Sequence, residues 1–275
     1  MVRLLQFRLL LVPDRDFTIT AWCGSFSLKI VYDVFHRVNV DYEKRARKPF
    51  VVEPLSIEEK YILSGLYLLE GNEFKPHKKL GCRDVEALTP LTLSVYFFDD
   101  DVARKFLEAL VKDDTIKEPS ADFKVLSVEV EEVKLPPLDY LEFETDVSAK
   151  LYVDVRFLSP TAFMFYGDDI LYPSPARVLF SSAKVYSDLA RIDLRDEVPE
   201  LLKVLELKWF SARTYWVDIG EGRKVPCFMG KARFVVCGKR DVVKVVNLLK
   251  SAEVYGLGIS RTLGFGRVKV ALSSP

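Results

Sequence analysis

Apolar residues follow a strand period and then a helix period, and this alternation runs the length of the chain. That order restricts the fold more than any other feature. Leu5, Phe7, Leu9 and Leu11 alternate with other residues and predict a strand with one buried face. Phe26, Ile30, Val31 and Val34 recur at helical spacing and predict a helix from about Ser25 to Arg37. Phe50–Val52 and Leu91–Phe98 are rich in β-branched and aromatic residues and read as strands. Asp99-Asp100-Asp101 opens a helix with acidic side chains at its positive end, and Val102, Phe106, Leu107 and Leu110 form its core face. Phe123–Val133 alternates again.

The second half repeats the order. Leu151–Phe157, Thr214–Asp218, Ala232–Val236 and Arg267–Leu272 read as strands. Ala176–Leu189, Val198–Leu207 and Asp241–Leu249 read as helices. Each half therefore gives β-α-β-β-α-β, with one extra helix in the second. The predicted class is α+β, with two tandem ferredoxin-like (RRM-like) domains over residues 1–135 and 140–275. Val133–Asp139, with Pro136-Pro137, is the linker between them.

Composition matters mainly for what it excludes. No run of about 18 apolar residues is present, and Arg3, Gln6 and Arg8 interrupt the apolar start, so neither a membrane span nor a signal peptide is predicted. The expectation is a cytoplasmic protein with four cysteines as buried thiols. Those cysteines lack CxxC spacing and only His36 and His77 represent histidine, so no metal site and no cofactor is expected. A single glutamine and three asparagines among many ionic residues fit a thermophile. Net charge is zero, but residues 1–145 carry 20 Lys and Arg against 26 Asp and Glu (−6), and residues 146–275 carry 20 against 14 (+6). The basic half is the one expected to meet phosphates.

That half ends on Tyr255-Gly256-Leu257-Gly258-Ile259-Ser260-Arg261-Thr262-Leu263-Gly264-Phe265-Gly266-Arg267, which holds four of the thirteen glycines. Glycine lets backbone approach a ligand closely, successive bare amides favour anions, and arginine adds bidentate phosphate contacts. Gly256, Gly258, Gly264, Gly266, Arg261 and Arg267 are accordingly candidate RNA contacts. The loop lacks GxxxxGK[ST] and does not join a first strand to its helix, which argues against a nucleotide-binding enzyme. Arg213 beside Tyr215 and Trp216 offers a cation next to stacking surfaces, although strand packing would also account for the rings.

The loop, together with Phe157-Leu158-Ser159-Pro160-Thr161, Tyr172-Pro173-Ser174-Pro175, Val178-Leu179-Phe180 and Lys48-Pro49-Phe50, resembles the RAMP superfamily of CRISPR-associated proteins. Within it the chain looks most like the sixth Cas family, the endoribonuclease that cuts CRISPR repeat RNA. The resemblance implies cleavage without a metal by attack of the ribose 2′-hydroxyl, leaving a 2′,3′-cyclic phosphate and a 5′-hydroxyl. It implies repeat RNA as partner, other Cas proteins of an interference complex as further partners, and a monomer or homodimer.

Many members of that family use a tyrosine in the first helix, a histidine after it and a lysine before the second strand. Tyr32 matches the tyrosine and Lys48 the lysine, while the histidine slot falls on Tyr42 and His36 stands six residues earlier. Two arrangements follow. Tyr32 and His36 are one helical turn apart and share a face, so His36 can approach the same site. Alternatively Tyr42, or the cluster Lys44, Arg45, Arg47 and Lys48, acts without histidine. Against both stand plainer roles: His36 as a helix-end partner, Tyr32 packed on Phe35, and the cluster as a solvated loop or phosphate clamp. An inactive relative that only binds repeat RNA is the alternative function.

Overall fold

A computed structural model of the chain describes residues 2–40, 42, 48–139, 150–238 and 241–273. Lys44, Arg45 and Arg47 lie outside the described residues. In chain order the principal elements begin with β1 (Arg3–Pro13), α1 (Cys23–His36), β2 (Phe50–Val52), β3 (Leu66–Glu70), β4 (Glu73–Pro76), β5 (Leu91–Phe97), α2 (Asp100–Lys112) and β6 (Asp122–Lys134). They continue with β7 (Leu151–Thr161), β8 (Phe163–Phe165), β9 (Asp168–Ile170), α3 (Pro175–Ala190), α4 (Val198–Leu202), β10 (Leu205–Asp218), β11 (Lys224–Val236), α5 (Val242–Tyr255) and β12 (Val268–Ser273).

The first sheet is centred on β1, which pairs antiparallel with β6 on one side and β5 on the other; β2 lies beyond β5. Phe7, Leu9 and Leu11 point into a core shared with Ile30, Val31 and Val34 of α1 and Phe106 of α2. Asp99 caps α2, its Oδ1 accepting the Asp101 amide at 2.9 Å. The second sheet runs β12-β7-β11-β10-β3-β4. Its helices α3 and α5 cover a second core through Val178, Leu179, Val245 and Leu249. The described chain is thus a mixed α/β fold of two large sheets with helices, β8 and β9 forming a separate hairpin.

Three features differ from the sequence reading. The helix expected over Val198–Leu207 stops at Leu202, and Leu205 begins a strand of 14 residues. Leu205 pairs with Val236 and is buried, so sheet pairing overrides an apolar run that suits either period. That strand extends well before the expected Thr214, through residues exposed on both faces. Finally, the hairpin β3–β4, from the first half of the sequence, adds to the second sheet where Trp216 pairs with Tyr67. Leu4 and Leu135 likewise join the second core, and Trp22 meets Phe265 edge-on at 5.6 Å.

The expectation of buried thiols holds for two cysteines. Cys23 and Cys227 are buried, but Cys82 and Cys237 are exposed, one in a loop and one just past the end of β11. Burial pushes the Cys23 thiol up to about 12 and the Cys227 thiol higher still. A thiol reagent at neutral pH is therefore expected to modify Cys82 and Cys237 and to reach the other two only after unfolding, as counted by mass spectrometry. Labelling of Cys23 in the native protein at the same rate as Cys82 would contradict this packing.

Candidate functional site

The glycine-rich segment follows α5 and is clasped by protein backbone. The Gly266 amide donates to Pro160 O at 2.9 Å, the Ile259 amide to Ala162 O at 2.9 Å and the Leu257 amide to Gly266 O at 2.8 Å. Ser159 Oγ accepts the Arg267 amide at 2.9 Å, and Ser181 Oγ accepts the Gly258 amide at 2.8 Å. The amides of Gly256 and Gly264 close onto Ala252 and Arg261. The expected cradle of bare amides is therefore corrected at these positions, because their hydrogen bonds are consumed inside the protein. The glycines are needed for close backbone approach. At Gly266, with φ +71°, a Cβ would stand 1.8 Å from Leu257 O, and at Gly258, with φ +82°, 2.2 Å from Ala162 O. The Ser159-Pro160-Thr161 motif and the glycine segment, distant in sequence, are thus two sides of one clasp.

Arg267 is a second correction. It is 3% exposed, pairs with Glu53, and donates to Val254 O and Glu253 O at 2.7 Å each. Its guanidinium lies 5.2 Å from the centre of the Tyr96 ring. Burial opposes its charge, but Glu53, then Tyr61 and Tyr96, outweigh that and push its pKa up. Burial also pushes the Tyr96 phenol up to about 12, so it stays a donor toward Glu53. This cation ties the start of β12 to the loop after β2 and is not presented to a phosphate.

What the clasp does present is Ser260, Arg261 and Thr262. They line a cleft of about 240 Å³ with Lys48, Val51 and Asp188. Lys48 comes from just before β2 and Arg261 from the far end of the chain. Lys48 Nζ lies 5.8 Å from the centre of the Tyr32 ring, so the structure brings these two expected residues together. His36 is exposed at the last position of α1, one turn beyond Tyr32. Tyr42 is not available as a catalytic group. It is 3% exposed, with its ring 4.7 Å from Phe35 and 5.7 Å from Phe50, because an aromatic side chain here completes the first core.

The other basic candidates lie elsewhere. Arg213 is exposed on β10, outside the cleft. Its neighbours are engaged within the protein: Trp216 meets Phe74 at 5.0 Å and Tyr215 meets His77 at 5.9 Å. Asp188, Ser260 and Thr262 were missed by sequence reasoning. Ser260 and Thr262 flank Arg261 and so carried a signal by position, whereas Asp188 on α3 carried none. Among the described residues, no group of three His, Cys, Asp or Glu side chains is placed to hold a metal ion.

With this geometry, a family model described as CRISPR-associated endoribonuclease Cas6 matches residues 155–268. A Cas6 endoribonuclease of Mycobacterium tuberculosis is 32% identical over 126 residues, covering 44% of this chain and 39% of the relative. The match thus spans well under two thirds of that relative's length. One from Streptococcus thermophilus is 28% identical over 184 residues, covering 64% of this chain and 73% of the relative. Among solved structures, a product complex of Thermus thermophilus Cas6 superposes with a TM-score of 0.70 at 17% identity, over 98% of this chain and 100% of that one. At that identity the likeness is one of fold.

Proposed function

We propose that this chain, which matches the Cas6 family model over residues 155–268, is an endoribonuclease of that family that cuts CRISPR repeat RNA to release guide RNA. We read residues 1–135 and 140–275 as two ferredoxin-like units, the β3–β4 hairpin of the first being added to the sheet of the second, with the RNA backbone crossing between them. The observation that carries the proposal is the meeting of Lys48 and Arg261, from opposite ends of the sequence, in one cleft. Two cations in a small cleft suit a phosphodiester.

The proposed chemistry is metal-independent. The ribose 2′-oxygen attacks the adjacent phosphorus and loses its proton; the bond from phosphorus to the 5′-oxygen breaks, and that oxygen gains a proton. The products are a 2′,3′-cyclic phosphate and a 5′-hydroxyl. Lys48 would stabilise charge at the phosphorane, Arg261 would hold the phosphate, and Tyr32 or His36 would handle the protons. Ser260 and Thr262 would bind phosphate oxygens beside Arg261. Lys44, Arg45 and Arg47 would extend the basic approach, and Arg213 would contact RNA away from the cut. We also infer a cytoplasmic protein acting as monomer or homodimer beside other Cas proteins.

The test is incubation of the protein with its repeat RNA in EDTA. The expected result is cleavage at a single phosphodiester, abolished by a 2′-deoxy substitution at that nucleotide. Tight binding of RNA that stays intact would favour the alternative, an inactive relative that only binds or scaffolds. One observation favours that alternative: the residue in the family's histidine slot, Tyr42, is a core side chain.

A further inference from the structure

Next to the cleft, and sharing Ser260 and Arg261 with it, opens a larger pocket of about 660 Å³. Phe163, Phe165 and Phe180 line it together with the cations Arg177, Lys184 and Arg261. Among the described residues, no carboxylate lines it. Phe165 and Phe180 are 51% and 48% exposed, an unusual amount for two neighbouring phenylalanines. The Arg177 guanidinium lies 4.6 Å from the centre of the Phe165 ring. Its Nε is buried and, among the described residues, has no hydrogen-bond acceptor. A buried donor without a partner calls for an acceptor from elsewhere.

The turn that carries Phe165 adds to this. Phe165 pairs with Asp168 across a two-residue turn, and Tyr166 occupies its first position at φ +49°. Asparagine, aspartate or glycine is favoured there, so a bulky ring at positive φ is strained. The Tyr166 ring is 94% exposed and meets Phe165 at 4.5 Å. Rings held in the open beside three cations suit a ligand that is flat, carries acceptors and is joined to phosphate. An apolar protein surface would use the rings but offer no acceptor to Arg177 Nε. A paired RNA duplex offers edges and phosphates, whereas an unpaired base offers a face.

We propose that this pocket holds one unpaired nucleobase of the RNA, stacked on Phe165, with an acceptor toward Arg177. Because the pocket and the cleft share Arg261, that base belongs to a neighbour of the nucleotide whose phosphate enters the cleft. The proposal rests on the reading of the cleft as the RNA-cutting site. It makes the residues around Phe165 determinants of which nucleotide is accepted beside the cut.

The test uses a synthetic repeat RNA made uncleavable by a 2′-deoxy nucleotide at the cut, with 2-aminopurine placed at each position in turn. The expected result is fluorescence quenching at one position next to the cut, lost in Phe165→Ala. That variant, altered at an exposed ring, should bind the RNA about tenfold more weakly. With an abasic nucleotide at the quenched position, wild type and Phe165→Ala should bind alike. If the wild type binds the RNA tightly and no position shows quenching that depends on Phe165, the pocket proposal is overturned and the cleft reading stands. If the wild type binds no repeat RNA, both fall together. Loss of self-association in Phe165→Ala, with RNA affinity unchanged, would assign the rings to a second copy of the chain and overturn the proposal.

Discussion

Replacing Lys48 with alanine is expected to slow RNA cleavage about 100- to 1000-fold, the loss usual for one preorganised charge-stabilising group. Affinity should change by less than about tenfold, since one half-buried cation among several phosphate contacts contributes modestly to binding. The asymmetry follows from where charge develops. The ground-state diester carries one negative charge, and the phosphorane gathers a second beside the cleft that Lys48 and Arg261 line. Single-turnover cleavage and equilibrium binding, measured on the same RNA at two salt concentrations, separate the two effects. Lys48→Arg should recover part of the rate, because it restores charge without restoring geometry. Equal losses of rate and affinity, with a shallower salt dependence, would reduce Lys48 to a phosphate clamp.

Arg267→Met is expected to act on folding, not on RNA. Removing one partner of a buried pair leaves Glu53 uncompensated, at a cost of about 3–5 kcal/mol. For a chain of this size the melting temperature should fall by about ten degrees. The two hydrogen bonds to the end of α5 go with it. Calorimetry of Arg267→Met and of the double variant Glu53→Gln with Arg267→Met makes the test. The double variant should recover much of the loss, because no lone carboxylate remains. Below the melting transition, RNA affinity should stay near that of the wild type. A stable Arg267→Met protein with weakened RNA binding would return this residue to the phosphate-contact role its sequence position suggested.

These two arginines mark the limit of what one sequence conveys. Arg261 and Arg267 belong to the same glycine segment and look alike on paper. One lines the cleft and the other is sealed against Glu53, and that difference depends on a contact between residues far apart in the chain. The glycines were legible as sites of close approach, but the surface they approach is the backbone of Leu257 and Ala162. Both N-terminal helices were readable because their apolar stripes face a single core, and Asp99 announced the start of α2. The long strand β10 was not, since Glu206–Thr214 is exposed along most of its length and offers no alternation. Lys48 and Tyr32 were named through a family likeness; periodicity alone would have left both as surface residues.

The hairpin β3–β4 has its own bearing on how the molecule comes into being. Its mate, the stretch around Trp216 and Val217, is translated long afterwards. At ordinary ribosomal speed this ribbon waits on the order of ten seconds with one flank unmatched. The charges on Glu70, Glu73 and Lys75 discourage stray partners during that interval. Assembly of the nascent polypeptide is therefore sewn up from its late-emerging portion backward, and the cleft lined by Lys48 and Arg261 closes only after Arg261 has left the tunnel.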